Sequence, residues 1–254
     1  MKISFELNPP KIAKGNYFDL LCLIQEMENL VKRASLLTEL VDGIHLTDSV
    51  LGIPRISSVT AASHVKKSGN TLNLSCSIRV RDRNFTSICQ MVGDAILVGI
   101  DSLLILIGDE PSDGPKKDLG LKPSNVLNML KNKNYDKVID LNLSAPNKIK
   151  NKSSIQKKID ARPYAFVTQS IVSLSDLGEI VDIAKPYEIK VVACIMAPSE
   201  KNKSSADIIG LEWKEYENNP IDFIKQAGKV ANEILLTSPN SFRTGLELLR
   251  EIRK

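Results

Sequence analysis

Two carboxylates lie in or directly after apolar runs, in places where an acid could transfer a proton. Glu6 lies between Phe5 and Leu7, and Asp109 follows the apolar run Ser102–Ile107. Partial burial beside such a run would raise the pKa of a carboxyl group, so that it could donate a proton near neutral pH. A structural role is the alternative, because acids at strand ends often cap a helix or pair with an arginine. The residue types alone leave both interpretations open.

Prolines and a glycine shape the chain around both acids. Pro9 and Pro10 follow Glu6 closely, and neither can continue a sheet ladder, because proline lacks an N–H and fixes its own φ. Glu6 is therefore expected near the carboxyl end of a strand, where several α/β folds carry out chemistry. Asp109 follows Gly108, and a glycine there would let a ligand approach the backbone closely.

Short β-rich runs alternate with segments of helical periodicity along the whole chain. The predicted strands are Lys2–Leu7, Gly43–Thr47, Leu72–Arg79, Ser102–Ile107, Lys137–Leu143, Tyr164–Gln169, Lys190–Met196 and Glu233–Thr237. The predicted helices are Phe18–Leu40, Ile53–Lys66, Phe85–Val98, Pro123–Lys131, Ser153–Asp160, Leu174–Tyr187, Pro220–Val230 and Ser241–Arg253. Eight strand–helix units in 254 residues predict an α/β protein, a (β/α)8 TIM barrel that forms one catalytic domain over residues 1–254. A doubly wound open sheet is the alternative, but it usually has a glycine-rich first turn, which this chain lacks.

In such a barrel the carboxyl ends of all strands meet at one mouth, so the polar residues there form a candidate site. Those residues are Glu6, Asn8, Thr47, Asp48, Ser77, Arg79, Arg81, Asp109, Asn142, Ser144, Gln169, Ser199 and Glu200. The polar stretch Ser199–Ser205 is interpreted as a mobile loop over the mouth, and we expect it to move when a substrate binds.

Composition limits the classes of protein to which the chain could belong. Its 34 basic residues are nearly balanced by 30 acidic ones, which argues against a nucleic-acid-binding surface. The four cysteines lie far apart, without the spacing of a metal site or a redox pair, so we expect reduced thiols and no metal. No leader and no bilayer-length apolar window is evident, and a cytoplasmic protein that does not contact a membrane is expected.

Several short motifs together resemble the methylenetetrahydrofolate reductase family. They are Phe5–Pro10 in the first strand, Arg81–Asn84 before the third helix, Gly108–Pro111 after the fourth strand, Ile159–Ala161 and Val167–Gln169. The resemblance extends from the N-terminus to Gln169 and is only topological beyond it. It implies a (β/α)8 barrel, in agreement with the count of strand–helix units.

The resemblance also implies an activity and roles for three residues. The enzyme would be an oxidoreductase of one-carbon metabolism and methionine biosynthesis. It would reduce 5,10-methylenetetrahydrofolate, or a related tetrahydropterin, to the 5-methyl form, with NADH or NADPH as hydride donor through a bound flavin. Glu6 would be the general acid that opens the folate ring. Asp109 would lie near both flavin and pterin, and Gln169 would bind the substrate through its amide.

A flavin, usually FAD, would occupy the barrel mouth, and the resemblance assigns residues to its binding as well. Thr47 would lie near the flavin ring and Lys158 at its phosphates, with Asp109, Ser77 and Asn142 completing the flavin site. Ser77 stands where many family members carry a histidine, and the strand of Asn142 lacks the usual aromatic residue. FMN, or no flavin at all, is the alternative that these departures leave open.

Two alternative functions follow from the same residues. The first is a reductase that transfers hydride directly to the pterin without a flavin. The second is a barrel without turnover that binds pterin or serves as a subunit of a larger complex. A homo-oligomer is also compatible with the sequence, since barrels commonly associate through their outer helices.

Overall fold

The computed structural model describes residues 1–13, 17–112, 118–150 and 152–254. Within them, eight parallel strands form a closed barrel in the order β1 to β8, which confirms the (β/α)8 fold predicted from the sequence. The strands are β1 Ile3–Leu7, β2 Gly43–Leu46, β3 Asn73–Arg79, β4 Ser102–Leu106, β5 Asp140–Ala145, β6 Ala165–Thr168, β7 Lys190–Met196 and β8 Glu233–Thr237. The helices are α1 Leu20–Leu37, α2 Ser58–Lys67, α3 Phe85–Val98, α4 Pro123–Lys131, α5 Lys152–Asp160, α6 Leu174–Ala184, α7 Glu200–Ile208, α8 Pro220–Val230 and α9 Phe242–Ile252.

The chain divides into two compact units. The first unit consists of Met1–Glu6, Glu39–Gly43 and Asn142–Lys254, and the second consists of Leu7–Thr38 and Ile44–Leu141. A single domain over residues 1–254 stays a prediction. In the first unit, Phe5 of β1 packs edge-on against Phe242 of α9, with ring centroids 5.8 Å apart.

The core of the second unit lies between its strands and its helices. In β3, Leu74, Cys76 and Ile78 are buried, and β3 packs against α2. Ser75 and Ser77 alternate with them, since successive strand residues point to opposite faces of a sheet. The apolar face therefore packs against the helices, while the polar face points into the barrel.

Side chains cap the first turn of most helices. In seven helices of the described ranges, the residue before the first turn accepts a hydrogen bond from the backbone N–H three residues later. These capping residues are Asp19, Ser57, Asn84, Ser173, Ser199, Asn219 and Ser241. Each such cap typically stabilises a helix by about 1 kcal/mol, because it satisfies a backbone donor that has no partner in the helix.

The prediction of a loop at Ser199–Ser205 is wrong, because most of this segment belongs to helix α7, Glu200–Ile208. The segment is polar and weakly amphipathic, so it lacks the periodicity by which the other helices were predicted. Tertiary contacts hold it: Asn202 is fully buried and donates to Ala197 O at 2.8 Å and to Ser238 Oγ at 2.9 Å. The motion expected of this segment on substrate binding stays a prediction.

Strand β5 also differs from its prediction. It begins at Asp140 rather than Lys137, because Tyr135–Lys137 forms a 3-10 turn before it, and it ends at Ala145. Strand β1 ends at Leu7, immediately before the Asn8-Pro9-Pro10 segment, as expected from the two prolines. Within the described residues, no helix is long and apolar enough to cross a bilayer.

Candidate active site at the carboxyl ends of the strands

Glu6 is the next-to-last residue of β1 and is partly buried. Its Oε1 accepts a hydrogen bond of 2.7 Å from Thr237 Oγ1, at the carboxyl end of β8. Burial raises the pKa of Glu6, and the hydrogen bond from Thr237 opposes that rise only in part. The rise agrees with the effect expected of an acid beside apolar neighbours, and it makes Glu6 a better proton carrier near neutral pH than an exposed glutamate.

A buried thiol lies beside Glu6. Cys194 in β7 is 8% exposed, and burial followed by the charge of Glu6 raises its pKa to about 12. Its Sγ lies 3.7 Å from Ser170 Oγ. A thiol whose pKa is raised in this way carries little thiolate at neutral pH, which makes Cys194 a poor nucleophile. It contributes a small neutral surface next to the carboxyl group.

Strand register places Asn142 on the same face of the sheet as Glu6. Paired residues of parallel strands point to the same side, and the register links Ser144 to Val167, Val167 to Val192 and Val192 to Glu233. Glu233 also accepts a hydrogen bond from Ser4, so the face continues from β8 to β1. Glu6 lies two residues after Ser4, and Asn142 lies two residues before Ser144. Since side chains alternate along a strand, Asn142 also points into the barrel.

The side chain of Asn142 is buried, and its Oδ1 has no hydrogen-bond partner in the part of the chain that the structure describes. Buried carbonyl groups nearly always have a partner, and one left without it costs about 1–3 kcal/mol. A donor on a bound molecule would satisfy this oxygen.

Lys158 and Gln169 come together at the end of β5. Lys158 Nζ donates to Ser144 O, and the Gln169 backbone N–H donates to Ala145 O at 2.8 Å. Burial lowers the pKa of Lys158. The side chain of Gln169 is exposed. Phosphate binding by Lys158 and substrate binding by Gln169 stay predictions.

In the second unit, Thr47 and Ser77 each bond to a neighbouring side chain. Thr47 Oγ1 donates to Asn8 Oδ1 at 2.6 Å. Ser77 Oγ lies 2.8 Å from Nε2 of His45, and Ser75 Oγ lies 2.7 Å from the other ring nitrogen. Sequence reasoning missed His45, although it lies two residues before Thr47 and therefore on the same face of β2.

His45 should make the protein sensitive to acid. Burial lowers the pKa of His45 to about 4, from an ordinary value near 6.5. The unfolded chain binds this proton below about pH 6.5 and the folded chain does not, so stability should fall as pH drops from about 6.5 to about 4, by up to roughly 3 kcal/mol. Urea unfolding at several pH values should show this loss, and His45→Gln should remove that part of the pH dependence.

The exposed His64 provides the control. His64→Gln should leave the pH dependence of the parent protein intact. If His45→Gln and His64→Gln gave the same curve as the parent, the pKa assigned to His45 would be wrong.

Asp109 is exposed, contrary to the partial burial expected from the sequence. Gly108, which precedes Asp109 and lies two residues after the end of β4, has a φ of +86°. The Asp109 side chain accepts a 2.7 Å hydrogen bond from the Leu51 backbone N–H, and its backbone carbonyl accepts one of 2.8 Å from Arg79. These contacts order the loop. The catalytic, substrate and flavin roles of Asp109 stay predictions.

The motif Arg81–Asn84 has structural contacts of the same kind. Asp82 pairs with the buried Arg79, Arg83 pairs with Asp48, and Asn84 caps α3. Any barrel can use such residues to hold its loops and helix ends, so the motif carries little information about a family.

No protein-family model and no curated protein matches the chain. The chain is similar to several solved structures of low identity, each with a TM-score of 0.60. The aldolase QR15 is 11% identical, and the match covers 98% of this chain and 93% of that one. Deoxyribose phosphate aldolase from Aeropyrum pernix, described as tetrameric, is 10% identical, and the match covers 100% of this chain and 90% of that one. A chain of the tryptophan synthase a2b2 complex from Pyrococcus furiosus is 8% identical, and the match covers 99% of this chain and 96% of that one.

These findings establish the fold and correct the family. The resemblance to methylenetetrahydrofolate reductases is wrong, because no family model matches and the similar structures are aldolases and a tryptophan synthase chain. The predicted reduction of methylenetetrahydrofolate, and the oxidoreductase class with it, are wrong for the same reason. Binding of FAD, FMN, NADH or NADPH stays a prediction. Asp82, Arg83 and Asn84, which belong to the motifs that carried the resemblance, have structural contacts.

Proposed function

We propose that the chain is a carbon–carbon lyase of the aldol type, with Glu6 as the group that moves the proton. The observation that carries the proposal is a partly buried carboxyl group with a raised pKa at the carboxyl end of β1, held by one hydrogen bond from Thr237. The likeness in fold to two aldolases supports this reaction class.

The chemistry needs a group that can both take and give a proton. In the cleavage direction, a base removes the proton of the hydroxyl group beside the breaking bond, and the electrons of that bond pass to the carbonyl of the donor half. The resulting enolate then takes a proton at carbon. A carboxyl group whose pKa lies above the ordinary range suits both steps better than an exposed acid.

Asn142 would orient the substrate in this reaction. Its Oδ1 accepts hydrogen bonds only, so a hydroxyl or N–H group of the substrate is the partner that it fits. Asn142 and Glu6 both belong to the first unit and point into the barrel. The substrate would therefore be a small polyhydroxy carbonyl compound rather than an apolar one.

Schiff-base chemistry would require a different residue. Aldol cleavage through a Schiff base uses a lysine amine that attacks the carbonyl carbon. Among the eight strands described, the single lysine is Lys190, at the amino end of β7. Lys158, on α5, donates to Ser144 O at the end of β5, and burial lowers its pKa. The proposal uses general acid–base catalysis by Glu6, because Glu6 is the group that a strand itself supplies at the carboxyl end.

Exchange of hydrogen next to a carbonyl tests the proposal without knowledge of the full substrate. The protein should exchange the α-hydrogens of a small carbonyl donor for deuterium in D2O, as followed by proton NMR with acetaldehyde, acetone, pyruvate and dihydroxyacetone phosphate in turn. It should also release an aldehyde from deoxyribose phosphate or from an unphosphorylated 3-hydroxy carbonyl compound. Absence of exchange with all four donors, and of cleavage with both compounds, would contradict it.

Exposed apolar residues at the start of α1 favour the predicted homo-oligomer. Tyr17, Phe18, Leu20, Leu21 and Ile24 are each between 49% and 83% exposed. Several large apolar side chains exposed close together in the chain are typical of an interaction surface. Self-association through this patch would remove it from water, and it stays a prediction.

A further inference from the structure

The segments after β1 and β2 hold two cations side by side. Lys11 and Arg55 are partners in an isolated antiparallel bridge. Backbone hydrogen bonds flank the bridge on both sides, from Ile12 N to Pro54 O at 3.1 Å and from Ile56 N to Pro10 O at 3.0 Å. Directly opposed residues in an antiparallel pair point to the same side, with Cβ atoms roughly 5 Å apart. The backbone therefore places Lys11 and Arg55 next to each other, with both side chains starting on the same side of the bridge.

Arg55 is partly buried, and its guanidinium donates a hydrogen bond from Nη1 to Pro9 O at 2.7 Å. Its Nε is buried and has no partner in the ranges that the structure describes. Burial lowers the pKa of Arg55, and no acidic side chain of those ranges counteracts it. A guanidinium in this setting normally faces a carboxylate or a phosphate.

We propose that Arg55 and Lys11 form a subsite for an oxyanion, either the carboxylate or the phosphate group of a small molecule. Both residues belong to the second unit and lie in the loops that follow β1 and β2, and loops at the carboxyl ends of barrel strands are where TIM barrels bind their ligands. The inference adds a class of ligand, a small anion, and does not depend on the proposed lyase activity.

Like charges directly opposed in a sheet destabilise it, and burial of an unpaired charge adds to that cost. A bound oxyanion would neutralise both cations and accept hydrogen bonds from Arg55. The native arrangement therefore costs stability when empty and recovers it when a ligand binds, which is common for residues whose role is binding rather than folding.

Isothermal titration with inorganic phosphate, and separately with pyruvate, tests the subsite without turnover. The parent protein should bind at least one of the two anions. Arg55→Gln should weaken that binding at least about tenfold, because it removes a charge-assisted hydrogen bond, and Lys11→Gln should weaken it less. Arg55→Lys should be intermediate, since it keeps the charge but loses the planar fork of donors. The phosphate and pyruvate arms distinguish the two chemical sources of the anion.

The exposed Lys67 on α2 provides the matched control, because Lys67→Gln changes the net charge equally at a distance from the bridge. It should leave the affinity unchanged. The melting temperature of Arg55→Gln without anion should equal or exceed that of the parent, which excludes loss of binding through unfolding.

Two results would overturn the subsite: no binding of either anion by the parent protein, or equal affinity of the parent and Arg55→Gln. Anion binding without α-hydrogen exchange would instead contradict the proposed lyase activity and leave the subsite intact. If α-hydrogen exchange is observed and Arg55→Gln binds anions as tightly as the parent, the subsite would be contradicted and the proposed lyase activity would not.

Discussion

Glu6→Gln should lower the rate of α-hydrogen exchange by a factor on the order of 100 to 10,000 while leaving the fold unchanged. Glutamine has the shape of glutamate, and its Oε1 can still accept the 2.7 Å hydrogen bond from Thr237. It cannot give or take a proton at neutral pH. Removal of an acid that is costly to ionise when buried should not destabilise the protein, so the melting temperature should stay the same or rise.

The dependence of the rate on pH provides a second readout for Glu6. Burial raises the pKa of Glu6, and the parent rate should therefore rise with pH through an apparent pKa above the ordinary carboxyl range. This rise of the rate with pH should be missing in Glu6→Gln. Glu233, at the amino end of β8 on the same face of the sheet, is paired with Lys2 at 2.8 Å. Glu233→Gln removes one carboxylate at the other end of the strands. It should therefore retain both the parent exchange rate and its rise with pH.

Retention of the parent exchange rate by Glu6→Gln, at all pH values, would rule out Glu6 as the proton carrier. Asp109→Asn should then be measured in the same assay, because Asp109 is the other acid predicted from the sequence to be catalytic. A loss of exchange in Asp109→Asn with normal exchange in Glu6→Gln would transfer the role to the loop after β4.

Gly52→Ala should destabilise the protein by roughly 3 kcal/mol or more. Gly52 has a φ of +69°, and an added Cβ would lie 1.7 Å from Glu110 O and 2.9 Å from Ser112 N. Both atoms belong to the backbone, so no side chain can rotate to make room. The loop is also held there, because Ser112 N donates to Gly52 O at 3.0 Å. The free energy of unfolding in urea, followed by far-UV circular dichroism, should show the loss.

Gly93 in α3 provides the opposite case, since an added Cβ there would meet no atom within 4 Å. Gly93→Ala should stabilise the protein by about 0.5–1 kcal/mol, the ordinary difference between glycine and alanine inside a helix. Equal unfolding free energies for Gly52→Ala and the parent would mean that the two loops do not approach as closely as the structure shows.

Much of the fold could be predicted from the sequence because it depends on local patterns. Apolar runs of strand length alternate with amphipathic segments, and Pro9 and Pro10 mark the end of β1. Helix α7 could not be predicted in this way. Its order depends on Asn202, whose bond to Ser238 joins residues 36 positions apart in the chain. A contact of that kind leaves no periodic signal in the sequence.

The candidate site was predictable only in part. The raised pKa of Glu6 followed from its apolar neighbours, whereas its partner Thr237 is 231 positions away and could not be assigned. His45 could have been found from the two-residue alternation that places it on the same face as Thr47. The exposure of Asp109 depends on the positive φ of Gly108, a property that glycine permits without requiring.

The family resemblance was wrong for a physical reason. Short polar motifs at strand ends are what a barrel needs to pair its loops and begin its helices. Asp82, Arg83 and Asn84 do this here through two ion pairs and a helix cap. Proteins with unrelated activities can therefore share such motifs in the same order.

The capping side chains of the seven helices bear on how this barrel could acquire new specificities. Each cap closes its helix through a bond confined to the first turn, so the helix start does not depend on the loop that precedes it. Residues in those loops could be exchanged, inserted or deleted while the supporting helices remain in place. We therefore expect two libraries with the same number of substitutions to differ in the fraction of folded variants. That fraction should be larger when the substitutions lie in the loops between strand and cap than when they lie at the capping residues.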